Sequence, residues 1–428
     1  MGSSGIAITT TISGLNALSH RWLDTGMRSR GWLTWWRCGA LLLVALLLGF
    51  AQGCAGPPER KPLPEDLYAR SQVPGIPNAR FWGDEAPPYA EDLMTLPPKE
   101  LRARYPALVD QPIILLAISG GGSDGAFGAG MINGWTASGT RPVFSFVTGI
   151  STGSLMAPFA YLGPEYDYLV KKVYTTYTTK DLVKKRGLIG MIEIDAVADS
   201  APLRAVIAEH VDEEIMQAIA EEYRKGRFLL IGTTNLDAER PVVWNIGEIA
   251  ASGAPGALDL IHDVMLASAS VPVGFPPQMF EVEVDGMRYD EMHVDGGVSR
   301  EFFLFSFGVD DKALSKRLGA EGQAAVYIIR NAKLKPKWHA VERNILQIAG
   351  RTSSSFIRTQ GIGDLYREFV GAKAYGFDYN LAFIPASFDA ESKELFDPEY
   401  MNALYQLGYD LASKGYPWKK QPPGQKPQ

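Results

Sequence analysis

From Pro112 onward the apolar residues fall into two textures: short unbroken runs, and longer stretches with helical spacing. Ile113 to Ile118 is a continuous apolar run that ends in Ser119 and three glycines, the pattern of a strand buried on both faces. Ala126 to Ala137 then predicts a helix, with Ser123 or Asp124 available as its cap. Val143 to Thr148 predicts a second strand, running into Gly149 and another helix from Ser154. Leu203 to Arg224 is helical in pattern, and Arg227 to Thr234 is another buried strand. Phe280 to Asp295 predicts a hairpin around the turn dipeptide Asp285-Gly286. Ala325 to Arg330 is strand-like. Trp338, Val341, Ile345 and Ile348 recur at helical spacing, and Asp397 to Ser413 predicts a last helix. Strands alternating with helices, without internal repeats, predict an α/β core with a parallel sheet.

The first hundred residues read differently. Arg28, Arg30 and Arg37 precede an apolar run from Gly39 to Phe50, followed by small residues. A cationic start, a short apolar centre and a small-residue end describe an export signal. The run falls short of the roughly 20 residues that a bilayer-spanning helix needs. Residues 1–26 are atypical of such a signal, and Met27 makes a tidier start. Ala51-Gln52-Gly53-Cys54 resembles a bacterial lipobox, in which Cys54 would carry the lipid and anchor an exported protein in the envelope, facing the periplasm; ordinary cleavage nearby is the alternative. The prolines between residues 55 and 110 predict a semi-extended tether.

Composition narrows the chemistry. A net charge of -6 gives no general attraction to nucleic acid. Both cysteines, Cys38 and Cys54, precede the body of the chain, which leaves it no thiol nucleophile and no thiolate metal site. The segment after the last predicted core strand is basic (Lys333, Lys335, Lys337, Arg343, Arg351, Arg358). It either meets anionic headgroups or forms the solvated faces of helices.

Two glycine-rich turns carry the chemical signal. Ser119 to Gly125 lies between a strand and a helix, where successive N–H groups favour negative charge, either a phosphate or an oxyanion. Gly120-x-Gly122-x-x-Gly125 satisfies a dinucleotide fingerprint, but no acid ends the second strand to hold a ribose, and the P-loop's Lys is missing. Gly149-Ile150-Ser151-Thr152-Gly153 is a G-x-S-x-G turn between a strand and a helix, where Gly149 and Gly153 permit the bend that lifts a serine from the sheet edge. Its base is less obvious. Only His339 follows in the order of an α/β-hydrolase, and His293 is two residues from Asp295 on an alternating strand. Asp295 fits better, in Val294-Asp295-Gly296-Gly297 at the end of the hairpin. Asp285 is explained by its turn and Asp290 by exposure. A desolvated carboxylate beside the serine can accept its proton.

These elements, in this order, resemble the patatin-like phospholipase family over about Pro112 to Arg330. The segment Ala267-Ser268-Ala269-Ser270-Val271-Pro272, continuing to Phe275-Pro276-Pro277, resembles that family's lining of the site. The resemblance implies a three-layer α/β/α core with a mainly parallel central sheet and a C-terminal helical extension. It implies Ser151 as nucleophile, Asp295 as base in a Ser–Asp dyad, and Gly120, Gly121 and Gly122 as oxyanion donors. Neither metal nor cofactor is then required. The expected substrate is a phospholipid or other acyl ester met at a membrane surface. An acyltransferase with the same residues, or a non-catalytic lipid-binding envelope protein, are the alternatives. One departure stands out: Asp124 occupies a position where the family usually has Arg or Lys. An acid there would oppose a nearby oxyanion unless it caps the helix and turns away. The chain is thus expected to divide into an export region (1–53), a tether (54–110), a catalytic domain (111–335) and a mainly helical extension packed on it (336–428).

Overall fold

The apolar runs become the centre of a nine-stranded sheet. The computed structural model describes residues 60–185, 196–304, 309–336 and 338–424, so the export segment, Cys54 and Lys337 lie outside the described residues. The strands are β1 (Arg80–Trp82), β2 (Ile114–Ile118), β3 (Phe146–Ile150), β4 (Phe228–Asn235), β5 (Arg240–Asn245), β6 (Gln278–Val284), β7 (Met287–Asp295), β8 (Ala325–Lys333) and β9 (Asp378–Ile384). Their order is β1-β5-β4-β3-β2-β8-β9, and the β6–β7 hairpin joins through β7, which pairs with the end of β4. The five strands β4-β3-β2-β8-β9 are all parallel, whereas β5, β1 and the hairpin add antiparallel pairs. The hairpin turns on Asp285 and Gly286, both with positive φ, as a primed turn requires.

Alternate residues of each central strand serve opposite layers. Ile114, Leu116 and Ile118 face one core, with helices α1 (Gly125–Ala137), α2 (Thr152–Leu162), α3 (Ala257–Ser268) and α5 (Pro398–Ser413). Leu115 and Ala117 face the other, covered by the short helices Tyr89–Thr95 and Pro98–Arg104 and by α4 (Ile345–Tyr375). Two-sided burial explains why these runs show no polar alternation. α1 is buried nearly all round because α5 covers the side turned from the sheet; a Cβ on Gly130 would lie 2.0 Å from the Tyr405 carbonyl oxygen. Among the described residues, no helix is long and apolar enough to cross a membrane.

Several expectations change. Over residues 60–110 the chain is not a free tether. Arg60 and Lys61 bind Asp290 through a side chain and a backbone N–H, β1 extends the sheet, and Leu93 and Leu101 are fully buried. Its prolines start short helices, as at Pro98, rather than keep the chain extended. Asp290 is therefore a clasp for this segment and not merely exposed. The helix expected over Leu203 to Arg224 is two, Ala201–His210 and Glu213–Arg224, because the Asp212 carboxylate accepts the Ile215 N–H and restarts the chain as a cap. Trp338 and Val341 precede the helix; α4 begins only at Ile345, capped by Asn344. The C-terminal region also supplies strand β9, parallel to β8.

Candidate active site

Ser151 leaves β3 in a conformation that side chains rarely adopt, with φ 54° and ψ −127°, and α2 starts at the next residue. Such backbone costs on the order of 1–3 kcal/mol and persists only where its surroundings hold it. Here the Ser151 N–H donates to Ser268 Oγ (2.9 Å), and Ser268 Oγ donates to the Gly232 carbonyl (2.7 Å). Ser154 Oγ donates to the Ser151 carbonyl (2.7 Å). The flanking glycines answer to crowding. A Cβ at Gly153 would lie 2.2 Å from the Ile118 oxygen, and one at Gly149 would lie 2.6 Å from the Gly153 oxygen.

Asp295 reaches the same place from the opposite direction. β4 pairs first with β3, ending at Ile150 opposite Gly232, and then with β7, where Asp295 stands opposite Thr233. The Asp295 N–H donates to the Ser270 carbonyl (2.9 Å), so the Ala267–Pro272 segment braces both strand ends. Its Oδ1 accepts the Gly297 N–H (2.7 Å). Oδ2 is buried and has no hydrogen bond of ordinary geometry among the described residues. Burial pushes the Asp295 carboxyl up to about 7, while the Ser151 hydroxyl and the Gly297 N–H favour its charged form and Glu301 opposes it. Such a group exchanges protons near neutrality, as a general base should.

The glycine loop closes the third side. A Cβ on Gly120 would lie 3.5 Å from Ser151 Oγ. Gly121 (φ 152°) presses against Asn331, whose carbonyl oxygen would lie 2.3 Å from an added Cβ. Asn331 ties the loop down: its N–H donates to Ser119 Oγ (2.8 Å), its Nδ2 to the Ser119 carbonyl (2.9 Å), and its Oδ1 accepts the Gly128 N–H (2.9 Å). Among the described residues, the Gly120, Gly121 and Gly122 N–H groups donate no backbone hydrogen bond, which leaves them available to an anion.

Asp124 stands at the N-cap position of α1, but its side chain makes no capping bond. It accepts instead from the Tyr400 hydroxyl (2.5 Å) on α5, so a C-terminal helix, not the helix end, holds the acid.

The structure thus brings together Ser151, Asp295 and Gly120–Gly122. His293 takes no part: it is fully buried, with Nδ1 bonded to Thr233 Oγ1 (2.9 Å) and Nε2 to Glu291 (3.2 Å). His339 is exposed on a non-helical stretch. Sequence reasoning missed Asn331, the Tyr400–Asp124 contact and the buried Glu301–Arg330 pair (3.1 Å). Asn331 directly follows the predicted strand Ala325 to Arg330, and a polar residue at the end of a buried strand near the site was the available signal. Nothing local marks Tyr400.

Comparisons with known proteins bear on the family of the central part of the chain. Residues 116–306 match the family model described as Patatin-like phospholipase. No curated protein matches the chain. Among solved structures, the crystal structure of VipD from Legionella pneumophila is similar at 12% identity, covering 72% of this chain and 67% of that one, with a TM-score of 0.38. Over residues 116–306, this chain carries a patatin-like phospholipase domain.

Proposed function

We propose that the protein is a serine lipid-acyl hydrolase, of phospholipase A, lysophospholipase or esterase type, working through a Ser151–Asp295 dyad. The observation that carries this reading is the buried Asp295 carboxyl, its proton affinity raised to about 7 by burial, with the Ser151 hydroxyl directed at it. Asp295 takes the Ser151 proton as Oγ attacks the ester carbonyl carbon. The resulting oxyanion is held by N–H groups of Gly120–Gly122 at the start of the loop. Collapse breaks the ester bond, and Asp295 returns the proton to the leaving alcohol. Water, deprotonated by Asp295, then attacks the acyl-serine; the acyl–Oγ bond breaks, Asp295 returns the proton to Ser151 Oγ, and the fatty acid is released. A fluorophosphonate probe should label wild-type protein at Ser151 and leave Ser151→Ala unlabelled. An unlabelled wild type would overturn the dyad.

The reading extends to an exported protein anchored through a lipid on Cys54, supported by the sequence of residues 28–54. Fatty-acid labelling in cells should be lost in Cys54→Ala; labelling that persists would remove the anchor.

A further inference from the structure

The basic segment after β8 plays no part in that reaction, yet it lies against both of its halves. On α4, Ile357 packs on the base's turn: a Cβ on Gly297 would lie 3.2 Å from Ile357 Cγ2. One residue on, Arg358 faces a hollow of about 460 Å³. Arg351, Ser354, Ser355 and Arg358 line it at the spacing of a single helix face. Lys333, the last residue of β8, and Lys335 just beyond it line it from one side, and Ser123 and Asp124 from the far end of the glycine loop. Four cations thus meet one carboxylate, which Tyr400 already engages. Arg358 Nη2 donates to the Leu334 carbonyl (2.7 Å) and Lys333 to the Phe388 carbonyl, so both are held in place with N–H donors to spare.

Reach and surroundings identify the ligand. Gly120 adjoins Ser151, and three Cα steps separate it from Ser123, a span of at most about 11 Å. An anion in the hollow and an ester at Ser151 are therefore within the compass of one lipid. The same segment carries apolar side chains turned to solvent: Trp338 is 86% exposed, Ile345 82% and Phe356 69%. Cations interspersed with exposed Trp, Ile and Phe suit the interfacial zone of an anionic bilayer.

We infer that this hollow is a phosphate subsite, in which Lys333, Lys335, Arg351 and Arg358 hold the headgroup phosphate of an anionic phospholipid while Trp338, Ile345 and Phe356 enter the bilayer surface. The inference rests on the hydrolase reading for what becomes of the bound lipid, but binding itself needs no turnover. The test is co-sedimentation of the full-length protein with phosphatidylglycerol or phosphatidylcholine vesicles. Wild type should prefer phosphatidylglycerol. Each cation near an anionic surface contributes roughly fivefold, so Lys335→Ala/Arg351→Ala should weaken that binding by about 30-fold. Trp338→Ala, at a largely exposed position, should weaken binding to both vesicles and serves as a second variant should the double variant fold poorly. Equal binding to the two vesicle types, or unchanged binding by both variants, would overturn the inference. So would calorimetric binding of inorganic phosphate without vesicle binding, which would mark the hollow as a site for free phosphate. A protein that hydrolyses no ester yet binds phosphatidylglycerol through these cations would sink the hydrolase reading alone.

Discussion

Ser151 and Asp295 follow or end two strands that share one side of β4, with Ile150 opposite Gly232 and Asp295 opposite Thr233. The proposed nucleophile and base, far apart in the chain, are thus placed by consecutive residues of a single strand. Sheet register is a stringent device for this: a slip of one residue in β7 would turn Asp295 to the other face. The Ser268 hydroxyl, bonded to both Ser151 and Gly232, ties the elbow to the same strand.

Removing either partner tests the dyad. Asp295→Asn keeps the oxygen that accepts the Gly297 N–H but cannot take a proton. Turnover of a soluble ester such as p-nitrophenyl butyrate should fall about 10²–10⁴-fold, with the circular dichroism spectrum unchanged. A fall of less than tenfold would assign the base to another group.

Asp295 also links stability to pH. Its carboxyl is raised from 3.8 to about 7 by burial. Below pH 4 the group is protonated in both folded and unfolded chains. Between pH 4 and 7 the unfolded chain ionises while the folded one keeps its proton, so stability falls as pH rises through this window. Above about 7 the loss levels off at about 4 kcal/mol, from roughly three pKa units at 1.36 kcal/mol each. Asp295→Asn should therefore be more stable than wild type in urea at pH 8, with the two converging near pH 4. Activity should run the other way, rising with pH through about 7 as the base loses its proton. Parallel pH–stability curves for the two proteins would show that Asp295 ionises without this cost.

Much of this site was legible because its parts obey local rules. The run Ile113 to Ile118, the turn at Asp285-Gly286 and the bend at Gly149–Gly153 each carry their own sterics, and each forms as expected. What escaped depends on distant partners. Residues 60–110 look like linker because their few apolar residues are scattered, yet Leu93 and Leu101 find a core that only the finished sheet provides. Asp124 looked like a helix cap, the usual fate of an acid there. Its partner, Tyr400, comes from a helix nearly 300 residues on.

Asn331 should matter for the loop rather than for the chemistry itself. Its side chain bonds Ser119 and Gly128, and Asn331→Ala removes both bonds. Buried groups left unpaired cost about 1–3 kcal/mol each, so the denaturation midpoint should drop. The glycine N–H groups would also lose their fixed aim, and kcat should fall by about 10²-fold with KM little changed. A stability loss with kcat intact would leave Asn331 a structural residue only.

The Tyr400 hydroxyl restrains Asp124, the acid within the glycine loop proposed to hold the oxyanion. Tyr400→Phe removes that donor and leaves more of the Asp124 charge to act on the loop. A full negative charge several ångströms from a developing oxyanion, at an effective dielectric constant near 20, is worth at most about 1–2 kcal/mol of the barrier, which sets the ceiling on the effect of losing this one donor. That corresponds to a fall in kcat of at most on the order of tenfold. Adding Asp124→Asn to Tyr400→Phe removes the charge and should restore the rate, whereas a loss caused by disturbed packing of α5 would persist in the double variant. Steady-state kinetics of the two variants on the same soluble ester separates these outcomes. Full recovery in the double variant would mean that the acid at this position is tolerated because a distant tyrosine neutralises its effect.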